Sequence, residues 1–174
     1  MDTLINDVKH RARILHRAAR AGDESALKRL GATSELRTLS AEEISANVQR
    51  RHALAVIAEG MGFSGWPHAK AVLSGDRVAD YGELMHIDTG GSICNIWSAA
   101  YSEAKQIREE HGGYLLGYRR HFFVAEAPYI EALGLRPDDP DWGRIGRDWV
   151  RPSDRIPWQR LTQRAMDVRL RRSG

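Results

Sequence analysis

The stretch "YLLGYRRHFFVAEA", residues 114–127, decides the fold class. Aromatic and branched side chains are dense in it, and such residues suit a pleated, half-buried surface. Gly117 interrupts the run and is expected to mark a bulge or a bend. The stretch reads either as one bent strand or as a tight hairpin around residues 118–120. Taken as one strand, it puts Tyr118, Arg120 and Phe122 on one face and Arg119, His121 and Phe123 on the other, because successive residues point to opposite sides.

Working outward, "GELMHI" (82–87) is a short strand candidate and "DTGG" (88–91) a turn. The segment "NIWSAAYSEAKQIREEHGG" (95–113) reads as a helix with Ile96, Ala99, Ala100, Ala104 and Ile107 along its apolar stripe, ended by Gly112 and Gly113. Pro128 opens a short helix, Asp139 caps another with Pro140 at its first position, and "DWVRPSD" (148–154) is expected to return as a strand. The basic segment from 156 closes the order as a helix, with Trp158, Leu161, Ala165, Met166 and Val168 on or near its buried side. Trp142, Trp149 and Trp158 are read as covering side chains of the core. The implied class is α+β, with a small mixed or antiparallel sheet and covering helices over residues 80–174.

Residues 1–76 carry a different texture, that of a helical module. Leu4, Val8, Arg11 and Leu15 recur at helical spacing with Ile5 and Ala12 beside them. Gly22 suits a helix end, Asp23 suits the cap of a second helix over 24–30, and Gly31 stops it. "SAEE" (40–43) is a capping box that opens a third helix, expected to run unbroken through Ile44, Val48, Leu54 and Ile57 to about Met61. Pro67 suits the first turn of a fourth helix, which "SGD" (74–76) ends.

Composition bounds the rest. The chain has 174 residues, 42% of them hydrophobic and 28% charged, which fits a folded chain with a real core. No apolar run approaches the roughly 20 residues that span a bilayer, and "MDTLINDVKHRARILHR" (1–17) lacks the apolar region of a secretory signal. With its single cysteine no internal disulfide forms, so a cytoplasmic, bacterial-type protein without membrane contact is expected. Charge is split: residues 1–31 carry +3, 32–143 carry −6 and 144–174 carry +6. The basic ends either meet the acidic middle or offer a nucleic-acid surface, and the first needs no partner.

The stretch "ILHRAARAGDESALKRL" (14–30) resembles a single ankyrin repeat, through its Leu-His-x-Ala-Ala segment, its Ala-Gly-Asp turn and the returning helix. That resemblance implies protein–protein contact. "GGYLLGYRRHFFV" (112–124) with "DPDWGRIGRDWV" (139–150) makes residues 80–165 similar to an uncharacterised bacterial α+β family. This second resemblance implies a fold and no chemistry.

Three constellations carry candidate chemistry. Cys94 falls, on the helix reading of 95–113, in a first helical turn, where backbone amides favour thiolate. His121 on the following strand would serve as its base, with Glu126 or Asp88 orienting the imidazole, as in cysteine hydrolases and transferases. His86 and Asp88, in "MHID", stand at alternating positions and so on one face if extended, and His121 would complete a two-histidine, one-carboxylate set. No tight histidine spacing is present, so no metal and no cofactor is expected. Arg119 and Arg120 among aromatic residues, with His86, Asp88 and Trp97, form a ligand-binding set, the arginines otherwise pairing with Glu109, Glu110 or Asp88. The first expectation is a binding or regulatory protein acting through protein contact. A hydrolase or transferase on Cys94 and His121 is the alternative, and nucleic-acid binding through the basic terminal helices a second one.

Overall fold

A computed structural model describes residues 3–173. Among the described residues the chain is α+β, with nine helices and one three-stranded antiparallel sheet. Its contacts divide it into two compact units, one reaching to Asp76 and taking in Ser173, the other covering Arg77–Arg172.

The first unit is helical. Helix α1 (Thr3–Arg20) buries Leu4, Ile5, Val8, Ala12, Leu15 and Ala19. Arg11 is not on that buried line, for its guanidinium sits on the flank and pairs with Asp7 Oδ2 at 2.6 Å. Gly22 takes φ +83°, which ends the helix without Cβ strain. Asp23 Oδ1 then accepts the Ala26 amide at 2.8 Å and opens α2 (Glu24–Gly31). The Ser40–Glu43 capping box opens α3 (Ala41–Asn47).

The expected long third helix is two helices, α3 and α4 (Arg50–Gly60), separated by extended residues Val48 and Gln49. The angular positions explain the break. At 100° per residue, Ile44 and Ala53 would stand roughly 180° apart on one continuous helix, yet both are buried. Interrupting the helix lets each half turn its apolar side inward. The His52 ring supports the restart, its Nδ1 accepting the Gln49 amide at 3.1 Å. Helix α5 (Trp66–Leu73) begins with Pro67 in its first turn and ends before Gly75 at φ +74°.

In the second unit the sheet order is β1 (Ile96–Ser98), β3 (His121–Ala125), β2 (Tyr114–Tyr118), every pair antiparallel. The 114–127 stretch is a hairpin with a two-residue loop, Arg119 and Arg120, since Tyr118 pairs with His121. Arg119 adopts φ +49°, a conformation that costs a non-glycine residue about 1 kcal/mol or more. It is held there by reciprocal backbone bonds, Tyr81 N to Arg119 O and Arg119 N to Gly82 O, both 2.8 Å.

Several expectations are corrected here. Residues 82–85 form turns and 86–87 are irregular, with no strand. The supposed helix from residue 95 begins only at Tyr101, as α6 (Tyr101–His111), after the short strand β1. "DWVRPSD" contributes one parallel bridge, Leu115 to Asp148, and not a strand. Gly117 makes no bulge and pairs regularly with Phe122. Its missing side chain has another use: a Cβ there would lie 2.9 Å from Tyr81 Cγ, so glycine lets the Tyr81 ring lie against the sheet.

The hairpin register assigns the faces. Trp97, Phe123, Leu116, Tyr118 and His121 share one, while Ile96, Val124, Leu115, Gly117 and Phe122 share the other. The earlier grouping of Tyr118 with Arg120 and Phe122 is therefore overturned, because the two-residue loop changes the alternation. Helices α7 (Ala127–Ala132), α8 (Pro140–Arg144) and α9 (Arg155–Ser173) complete the unit. Trp142, Trp149 and Trp158 are 1%, 2% and 3% exposed and form its centre. Their indoles are satisfied: Trp149 Nε1 donates to Thr162 Oγ1, and Trp158 Nε1 to the Trp149 carbonyl, both at 3.0 Å.

Candidate functional site

One face of the sheet concentrates ring-bearing residues. Trp97 stacks on Phe123 with centroids 4.6 Å apart, and meets Tyr118 edge-on at 5.7 Å. His86, brought in by the turn before Asp88, lies 4.1 Å from the Tyr118 ring and 6.1 Å from Trp97. Tyr129, from α7, closes the inner side against Phe123 at 5.4 Å. Such arrangements contribute beyond the area they bury. Phe123 and Tyr129 are buried, but Trp97 is 45% exposed and its strand neighbour Ile96 50%.

Polar contacts hold this cluster in place. The Tyr129 hydroxyl accepts the Ile87 amide at 3.0 Å. Arg169 Nη1 donates to the His86 carbonyl at 2.8 Å, and its Nη2 lies 3.7 Å from Glu83. Arg119 donates through Nε and Nη2 to Glu83 Oε1 at 3.0 and 2.7 Å, and its guanidinium stands 5.3 Å from the Tyr118 ring centre. Glu83, not Glu109, Glu110 or Asp88, is thus the acid that takes Arg119. Burial is the main influence on His86 and holds its imidazole below the usual range, so the ring is neutral near pH 7 and packs as an aromatic. Burial likewise pushes the Tyr129 phenol up.

On the opposite face Tyr101 completes a second polar group. Its hydroxyl donates to Asp148 Oδ2 at 2.6 Å, and the Arg151 guanidinium sits 3.7 Å from its ring centre. Burial first, then the bond to Asp148, keeps this phenol protonated well above the ordinary tyrosine range. The group ties α6 to the 148–151 turn.

Of the ligand-binding set expected from sequence, His86, Trp97 and Arg119 are brought together. Asp88 is exposed and spends Oδ1 on the Gly90 amide at 2.8 Å, within its own turn. Arg120 is exposed at the loop tip and makes no ion pair among the described residues. Tyr118 and Phe123 belong to the cluster as well, and only the hairpin register reveals it.

The catalytic pair is not assembled. Cys94 is exposed and precedes a strand, so the expected first-turn setting is absent. Continuing the β1–β3 register sets residue 94 opposite Glu126, whereas His121 begins β3 at the other end. Five strand residues separate those levels, roughly 16 Å. The three-ligand set of His86, Asp88 and His121 does not form either: no group of three or more metal-ligating side chains occurs among the described residues.

The middle of the basic C-terminal helix is neutralised within its own unit. Arg160 and Arg164 bind Asp141, and Arg164 also binds Asp139 at 2.6 Å. Arg144 pairs with Asp154 at 3.2 Å. The self-complementary use of charge therefore describes this end of the chain. In the first unit an open groove of about 500 Å³ runs between α2 and α3, lined by Leu27, Ala41 and Ile44 with Glu24 and Lys28 at its rim.

No protein-family model matches the chain, and no curated protein or solved structure is detectably similar to it. No helix among the described residues is long and apolar enough to cross a membrane.

Proposed function

We propose that the chain is a cytoplasmic binding or regulatory protein that works by protein–protein contact, and that β1 carries the contact. One observation carries this reading: β1 is a sheet edge whose Ile96 and Trp97 stand 50% and 45% exposed. No backbone hydrogen bond reaches β1 from its outer side among the described residues, while the opposite edge is closed by the Leu115–Asp148 bridge. An open edge pairs readily with an extended segment of another protein, main-chain bonds supplying affinity and alternate side chains supplying selectivity. Tryptophan is the residue type most often found at the centre of such contacts. Phe123, Tyr118 and His86 hold the Trp97 ring in one orientation, which lowers the entropy lost on binding. The likeness of residues 14–30 to one ankyrin repeat supports the same class of function.

The test compares the proteins captured by immobilised wild-type chain, by Trp97→Arg and by an Ile14→Arg control of equal charge change. A partner retained by wild type and the control, and reduced at least tenfold by Trp97→Arg, is the expected outcome. Identical capture by all three baits refutes the assignment to β1.

A further inference from the structure

The other exposed feature lies on α1 and is electrostatic. Its basic residues fall into two groups by angle. Lys9, His10, Arg13, Arg17 and Arg20 fit within roughly 100° of the helix circumference at 100° per residue, and all five are exposed. The buried line of Leu4, Val8, Ala12 and Ala19 lies on the far side. The one acid among the described residues of this helix, Asp7, stands on the flank and is taken by Arg11. Lys9, Arg17 and Arg20 make no ion pair among the described residues, and Arg13 contacts only its helix neighbour His10, Nη2 to Nδ1 at 2.9 Å. A favourable charge at the helix C-terminus accounts for Arg17 and Arg20. It does not account for Lys9 and Arg13, which sit in the middle of the helix.

The contrast with α9 sharpens the point. There Arg160 and Arg164 lie opposite Asp139 and Asp141 and are matched; on α1 the row from Lys9 to Arg20 faces no such acids among the described residues. Four permanent cations from residue 9 to residue 20 cover roughly 16 Å of helix. One strand of duplex DNA places a phosphate about every 3.4 Å along its axis, so such a row spans about five of them. Three of the four cations are arginines, whose fork donates two hydrogen bonds to one phosphate. No planar apolar or amide side chain stands among them to read a base edge, apart from Asn6 one turn earlier.

We infer that the outer face of α1 binds the phosphate backbone of nucleic acid, through Lys9, Arg13, Arg17 and Arg20, without sequence preference. This site is on a different unit from β1 and is independent of the protein contact proposed there.

The experiment uses the full chain and a fluorescein-labelled 20-base-pair duplex, followed by anisotropy from 20 to 200 mM NaCl. Four phosphate contacts give a slope of log K against log salt of about −3.6, so affinity falls roughly a hundredfold between 50 and 200 mM. Arg13→Glu/Arg17→Glu is expected to weaken binding at 50 mM at least tenfold, and Arg13→Lys/Arg17→Lys less than threefold. Arg37→Glu/Lys70→Glu, exposed positions elsewhere in the same unit, matches the charge change and is expected to cost less than threefold. Circular dichroism melting confirms that each variant is folded; if the glutamate one is not, Arg13→Gln/Arg17→Gln, which removes both charges without reversing them and is expected to weaken binding at least threefold, decides the matter, and unchanged binding by it overturns the inference. Two results overturn the inference: no binding at 20 mM salt, or equal loss in the two charge-reversed variants. A third does so as well, equal displacement of the duplex by polyglutamate or by phosphatidylserine vesicles, since it would assign the row to an acidic protein or a membrane surface.

Discussion

Replacing Thr162 by valine isolates one buried hydrogen bond in the second unit. Thr162 is 0% exposed and its Oγ1 accepts from Trp149 Nε1 at 3.0 Å, on an indole itself 2% exposed. Valine keeps the branched shape and the helix propensity of threonine, so the change is confined to the loss of the acceptor. The orphaned indole N–H has no route to water and costs about 1–3 kcal/mol. A central value of about 2 kcal/mol lowers the urea midpoint by about 1 M for an m-value near 2 kcal/mol/M. Thr162→Ser keeps the acceptor and loses one methyl, for which about 1 kcal/mol is expected. The assay is urea unfolding followed by tryptophan fluorescence, which reports the second unit because it holds four of the five tryptophans. The order of stability should be wild type, Thr162→Ser, Thr162→Val, with unchanged m-values. A valine variant as stable as wild type, or more stable than the serine variant by 1 kcal/mol, refutes the view that this bond fixes the Trp149 ring.

Two further outcomes test the architecture. The Asp141 carboxyl is held below the usual carboxylate range, first by its hydrogen bonds from Arg160 and then, more weakly, by Arg164. Its stabilising share is therefore complete above the ordinary carboxylate pKa of ~3.9 and lost as pH falls through the depressed folded value. The urea midpoints of wild type and Asp141→Asn should differ at pH 7 and converge as pH is lowered toward 2; a gap independent of pH contradicts the pairing. Alanine at Gly117 places a Cβ 2.9 Å from Tyr81 Cγ, whereas at Gly143 in α8 it meets nothing within 4 Å. Gly117→Ala should cost about 1–3 kcal/mol and Gly143→Ala should be neutral or stabilising by up to ~1 kcal/mol, as thermal melting will read directly.

How much of this was legible in the sequence depended on the length of each signal. Caps were legible because they are local: Asp23, Ser40 with Glu43, and Asp139 each act within three residues. The hairpin alternatives at 118–120 contained the right answer, but its consequence for the faces did not follow from alternation along a single strand. Strand β1 was hidden in alanine-rich sequence, three residues being too short for any period. The helix that follows it has Ala100 as its cap residue and no side-chain cap, the Ser98 hydroxyl taking only the Ala100 amide at 2.9 Å. Once that helix start moved from residue 95 to 101, the setting that had singled out Cys94 disappeared. The break at Val48 was invisible for a different reason. It answers the angular mismatch between Ile44 and Ala53, which matters only when both sides have something to pack against.

Helix α9 bears on how the chain is made. It brings Trp158, Leu161, Thr162, Ala165 and Met166 to the core of the second unit, yet it is the last of that unit's elements to leave the ribosome. The first unit's helices follow one another in sequence from Thr3 to Leu73 and can close as they emerge. At about 5–20 residues per second, the 96 residues from Arg77 to Arg172 take roughly 5–20 s to synthesise. For the last part of it, the 30 residues from Trp142 to Arg172 or roughly 2–6 s, the indoles of Trp142 and Trp149 lack their closing helix. A nascent chain of this kind passes through its most aggregation-prone seconds just before its last helix is complete.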